Sequence, residues 1–295
     1  MISHRYTLSL LSLLSLWFGM ASCSHEPQVT SELGKPLYEI KDSDDPLDHL
    51  IYTIHQETGI QIIYDFDPLS AQWNLGQSSG LLNSARYVPY SPDDIGSRKS
   101  ILGTVQKLND EFLSLYPKEF KQSYFPLRIF VCDSIISKKK EVPVFSGRDH
   151  LAINVPPSDL AAEKVPDYYS TLWQGSHQKL WNYIFTYRLT PPANFLSYSG
   201  DKYNENLGEV KDPNYDIRMD GFWTYNKLLT FKFYKAIDMA TDISDYMLKM
   251  VTYPREEVFE QMGGYDIMAS KYLILHSFIL EETGLDLQQI GNRNK

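Results

Sequence analysis

Cysteine is almost absent: the 295 residues hold two, Cys23 and Cys132. That excludes a small disulfide scaffold and a cysteine-built zinc module, which need several cysteines at close spacing. Histidine is scarce as well, seven in all, and no two of them stand four apart as His-x-x-x-His. Positive charge is in deficit: 28 Lys and Arg against 37 Asp and Glu leave a formal charge of −9. An acidic chain of this kind argues against a nucleic-acid partner and against an electrostatic grip on anionic lipid. No long apolar run follows the first twenty residues, so no transmembrane helix is expected. The sequence has no G-x-S-x-G elbow, phosphate loop or G-x-G-x-x-G turn. It has no internal repeat and no low-complexity tract, and its 43% hydrophobic and 14% aromatic content excludes a disordered chain.

What is present begins with a leader. His4 and Arg5 precede an apolar run over residues 8–18, too short to span as an anchor. Met20-Ala21-Ser22-Cys23 follows, small residues ahead of a cysteine, as at a bacterial lipobox with Met in the usual Leu position. The expectation is a signal peptide over residues 1–22 and acyl chains on Cys23. Two or three such chains hold a protein at a membrane durably. An ordinary signal peptide with Cys23 left as a free thiol is the plainer alternative. Loss of Arg5 with the leader takes the charge from −9 to −10. Residues 23–44, polar and poor in apolar side chains, read as the lipidated cysteine and a spacer, and residues 45–295 as a single domain.

Within that domain Asp45-Pro46 reads as a helix start, Leu47, Leu50, Ile51 and Ile54 as its apolar stripe, and Gly59 as its end. A strand is expected over 60–64 and loop over 70–97. A second helix is expected on the stripe Ile101, Leu102, Val105, Leu108, Phe112 and Leu115, closed by Pro117. Strands follow over 127–135 and 151–155, separated by the solvated turn Lys138-Lys139-Lys140. A long helix is expected over 167–189, stopped by Pro191-Pro192. Loop is expected over 194–220, a helix over 236–251, and helix over 256–282 with a break at Gly263-Gly264. Strands early and helices late suggest an α+β fold.

This order, with Tyr64-Asp65-Phe66-Asp67 after the first strand, Gly221-Phe222-Trp223-Thr224, and a last helix closed by Gly284-Leu285-Asp286-Leu287, resembles the zinc-binding metallopeptidase lipoproteins of Bacteroidetes. The resemblance runs over residues 46–293. It implies a zincin-like scaffold, a small mixed sheet packed with several long helices. It also implies an outer-membrane lipoprotein beside a TonB-dependent nutrient importer. The family's chemistry needs H-E-x-x-H, two imidazoles on one side of a helix holding zinc and a Glu taking a proton from the metal-bound water. A carboxylate on a later helix completes the site. Here the matching segment is Ser176-His177-Gln178-Lys179-Leu180-Trp181: His177 stands at the first His, Gln178 at the Glu and Trp181 at the second His. Gln is no general base near neutral pH, and an indole offers only a donor. Hydrolysis by that mechanism is therefore not expected, and neither is bound zinc.

The remaining candidates have plainer readings beside the functional ones. His177 is a leftover at the edge of a vestigial cleft, or a weak metal ligand. Asp238, Asp242 and Asp245 share a helix face, either solvated or holding a cation with His177. Trp181 and Trp223, among many aromatics, pack the core or stack on a peptide or glycan. Cys132 lies in an apolar strand, the wrong setting for a nucleophile. The leading expectation is a non-catalytic binding or accessory lipoprotein. The alternatives are a metallopeptidase with a rebuilt zinc site and a purely structural interface subunit.

Overall fold

The computed structural model describes residues 38–68, 71, 85–90, 95–204, 206–208, 215–228 and 233–293, with backbone alone in the strands near 206, 225 and 233. The leader, Cys23 and most of the spacer lie outside the described residues. Residues 40–295 form one compact unit.

The domain opens with helix α1 (Pro46–Thr58), which starts where Asp45 Oδ1 accepts the N–H groups of Leu47 at 2.9 Å and Asp48 at 3.3 Å. It ends at Gly59 in the left-handed region, φ 78°. Strands β1 (Gln61–Ile63) and β2 (Arg86–Val88), then helices α2 (Ile95–Lys107) and α3 (Lys118–Tyr124), come next. Five strands follow: β3 (Arg128–Cys132), β4 (Ser134–Ser137), β5 (Lys140–Glu141), β6 (Val144–Ser146) and β7 (His150–Asn154). The long helix α4 (Val165–Tyr187) leads to α5 (Ala193–Ser199) and strands β8 (Asn206–Gly208), β9 (Tyr225–Leu228) and β10 (Phe233–Ala236). Helices α6 (Met239–Thr252), α7 (Arg255–Met262), α8 (Asp266–Thr283) and α9 (Leu287–Asn292) complete the chain.

The main sheet has the order β1-β3-β7-β6, with β1, β3 and β7 parallel and β6 antiparallel at the edge. Two small antiparallel sheets, β2-β4-β5 and β8-β10-β9, stand apart from it. Helix α4 packs on β6 and β7 and also against α6, so one continuous core of Ile129, Val131, Leu172, Leu180, Ile184, Met247 and their neighbours fills the space between sheet and helices. The α+β expectation matches this architecture. Among the described residues no helix is long and apolar enough to cross a membrane.

Several local expectations change. Ile101, Val105, Leu108 and Phe112 of the expected stripe are buried and Leu102 and Leu115 half-buried, but the α-helix stops at Lys107 and continues as a π turn (Leu108–Phe112) and a 3₁₀ turn (Leu113–Leu115). The strand over 127–135 breaks at exposed Asp133, whose N–H donates to Val88 O at 2.8 Å, so β3 and β4 join different sheets. The presumed loop over 194–220 holds α5 and β8, and the one over 70–97 holds β2 and the start of α2. The closing Gly284-Leu285-Asp286 is the cap of a further helix, α9, whose Gln288 N–H is held by Asp286 at 3.0 Å.

Candidate functional site

Helix α4 carries the segment matched to the zinc motif. Pro166 and Asp167 suit its first turn. Its buried row includes Tyr169, Trp173, His177 and Trp181, spaced by fours. That row faces the core. The His177 ring lies 4.9 Å from that of Phe112, and its Nδ1 is 2.7 Å from Tyr116 Oη. Burial pushes the imidazole down to about 3, so it is neutral. Trp181 is fully buried, its ring 5.7 Å from that of Phe120. The sequence put His177 at the edge of a cleft or as a weak metal ligand, and Trp181 in the core or as a ligand contact. The structure makes both of them core, and Trp181 presents no surface to any ligand. Gln178 beside them is half-buried.

The acidic face on α6 is also rearranged. Asp238 is the exposed N-cap, accepting Thr241 N–H at 2.8 Å. Asp242 is completely buried: its Oδ2 receives Lys271 Nζ and Tyr203 Oη, each at 2.6 Å. Lys271 Nζ also donates to Ser199 Oγ at 2.7 Å and Gly221 O at 2.9 Å. Rings of Phe195, Phe222 and Tyr246 surround the ammonium at 4.6, 5.0 and 5.2 Å. Burial raises the Asp242 carboxyl to about 6 and lowers the Lys271 ammonium. Asp245, largely buried, accepts Thr224 Oγ1 at 2.6 Å, and burial raises its carboxyl too. The solvated acidic face expected at 242 and 245 is thus an interior polar network. Sequence reasoning missed Lys271. Its one signal was position: Met268, Lys271, Leu275 and Ile279 recur at helical spacing, which puts a lysine on a core stripe.

Trp223 is half-buried, its ring 5.7 Å from that of Tyr246 and covered by Lys249 Nζ at 4.8 Å. Cys132 is a buried free thiol, pushed up by burial, as its apolar strand suggested.

Zinc fits none of this. Among the described residues no three His, Cys, Asp or Glu side chains come together. His177 is bound to Tyr116, Asp242 to Lys271 and Asp245 to Thr224. A site rebuilt from these three would have to break all of those contacts, and Gln178 supplies no base.

A groove lies elsewhere on α4. Gly175 closes its upstream end: a Cβ there would stand 2.6 Å from Val144 Cγ1 of β6. Further along, a cavity of about 210 Å³ opens between Phe145 to Arg148 on one side and Asn182, Tyr183, Thr186 and Tyr187 on the other. The ladder bonds Asn154 N to Pro143 O and Gly147 N to His150 O, both 2.9 Å, turn residues 143, 145 and 147 toward β7. By the alternation of an antiparallel pair, the N–H and C=O of Val144 and Ser146 then point off the free edge. Gly147 is required here, because a Cβ would stand 2.1 Å from His150 Cε1. That ring is fixed by Tyr87 Oη at 2.8 Å and Asp149 Oδ1 at 2.9 Å, and Asp149 is in turn held by Arg128 at 2.6 Å.

No family model matches the chain, and no curated protein matches it. A crystal structure of a putative zinc-binding metallo-peptidase from Bacteroides caccae shares its fold, with a TM-score of 0.53 at 14% identity over 87% of this chain and 95% of that one. The metallopeptidase-like scaffold inferred from the sequence is therefore found in a solved structure.

Proposed function

We propose that the chain is a lipid-anchored, non-catalytic binding protein that holds an extended peptide in the groove between β6 and α4. The observation that carries this reading is the edge strand β6 beside a helix that lines the adjoining cavity with Asn182, Tyr183, Thr186 and Tyr187, with neither imidazole nor carboxylate among them. The groove has what binding by strand addition uses, outward backbone donors and acceptors and a wall of side chains. It lacks what hydrolysis by bound zinc uses. A backbone edge favours peptide over glycan as occupant, because its N–H and C=O groups alternate at the strand repeat. Anchoring rests on Met20-Ala21-Ser22-Cys23. A place at the outer membrane, beside a TonB-dependent importer, rests on the resemblance in leader and element order.

The test is a Ser146→Pro substitution. Proline removes one outward N–H and leaves the bonds to β7 in place, as edge strands tolerate. Fluorescence anisotropy with labelled extended peptides should show saturable binding to the mature chain and at least about a tenfold loss in the variant, with the circular dichroism spectrum kept. Equal binding by both proteins would discard the groove. Elemental analysis of the same sample should find zinc well below one per chain, and stoichiometric zinc surviving dialysis would overturn the non-catalytic reading.

A further inference from the structure

Resting on that reading, we infer that the peptide held in the groove is acidic, recognised by Lys179, Lys138 and Arg148. Lys179 follows Gly175 by one helical turn and precedes Tyr183 by another, so it belongs to the row that α4 turns toward β6. Lys138 sits in the β4–β5 turn within electrostatic reach of it, and Arg148 lines the cavity at the other end of the edge strand.

What sets Lys179 apart is half-burial without a counter-charge. The other partly buried lysines whose charge is disfavoured by burial each have a carboxylate to offset it: Lys121 has Glu57, Lys249 has Asp245 and Glu257, and Lys271 has Asp242. Lys179 has only Lys138, a second positive charge, and both burial and that neighbour push its ammonium down. Among the described residues no ion pair or hydrogen bond joins Lys138, Lys179 or Arg148 to a carboxylate. The nearest acids along the chain are already engaged: Glu141 accepts Asn154 Nδ2 at 3.3 Å, and Asp149 holds Arg128 and His150. Two like charges held together with a desolvation penalty destabilise the free protein. A ligand carboxylate beside them offsets both costs by attraction, on a chain whose formal charge of −9 would otherwise repel an anion.

The experiment uses three labelled peptides of about eight residues, long enough to run the length of the edge. They share a backbone pattern and carry Glu, Gln or Lys at alternate positions. Binding to the mature chain is read by anisotropy. The Glu peptide should bind at least about tenfold tighter than the Gln peptide, and the preference should fall as salt rises from about 50 to 300 mM. Lys179→Gln combined with Arg148→Gln should abolish the preference, so that the Glu and Gln peptides bind the variant equally. Equal binding of Glu and Gln peptides overturns the inference while the peptide groove stands. An acid preference that survives the double substitution also overturns it, by placing the selecting charges elsewhere. If none of the three binds, the groove reading falls and takes the inference with it.

Discussion

His177 is neutral in the folded protein because burial pushes it from the ordinary 6.5 to about 3. Below pH 6.5 the unfolded chain binds a proton that the folded one refuses, so its contribution to stability is complete above 6.5 and is lost as pH falls toward 3. The loss is about 1.4 kcal/mol per pH unit, or roughly 2–3 kcal/mol by pH 4.5. Urea unfolding at pH 7.0 and 4.5 should show this, and His177→Gln should flatten the acid limb by that amount; an unchanged slope would mean the imidazole is not buried neutral. Asp242 has the opposite sign. Its carboxyl is raised from 3.8 to about 6, so its contribution is fullest below 3.8 and fades as pH rises through 6. Removing one partner of its pair is severe all the same: Lys271→Met should cost about 3–5 kcal/mol, because it leaves a buried carboxylate facing only Tyr203. Lys271→Met with Asp242→Leu should recover most of the loss, measured by thermal unfolding. The sequence named His177 and Asp242 as chemically interesting, but the partners that consume them, Tyr116 at a distance of 61 residues and Lys271 at 29, leave no local signal.

Secondary elements were legible where the chain carries its own punctuation. Asp45, Pro46 and Gly59 delimit α1 to the residue, and Asp45→Ala should lower stability by about 1 kcal/mol with the loss concentrated in that helix, a result to be checked by amide exchange over residues 46–50. Most elements of three or four residues were not legible, although β1 falls within the strand expected over 60–64. β6 has only Val144, Phe145 and Ser146, too few for a period-two pattern, and its identity as an edge comes from pairing with β7. The same shortness hid β2 and β8, the six-residue α9 is little longer, and the π turn after Lys107 keeps apolar spacing close enough to helical that periodicity could not separate the two. The groove was illegible for this reason, since half of it is β6. Its geometry rests on the absence of a side chain at residue 175. Gly175→Ala should force Val144 outward and cost about 1–3 kcal/mol by overpacking. Peptide binding should weaken in step with that shift, and an alanine variant as stable as the parent would show that α4 and β6 are less closely apposed.

At the scale of the whole molecule, fold and chemistry separate. The fold is shared with a solved metallopeptidase-like structure at 14% identity, because elements and core need only apolar pattern and a few caps. The motif needs particular atoms, and Gln178 and Trp181 do not supply them. A binding role would depend on where the domain is held, and the leader bears on that. If Cys23 carries acyl chains, the acidic domain is tethered by lipid alone, since its charge gives no attraction to anionic headgroups. Cys23→Ser should therefore move the protein wholly from the membrane pellet to the soluble fraction, with the unfolding curve of the domain unchanged. A serine variant that stays in the pellet at high salt would assign anchoring to the groove or to a protein partner, and the lipid would then be dispensable.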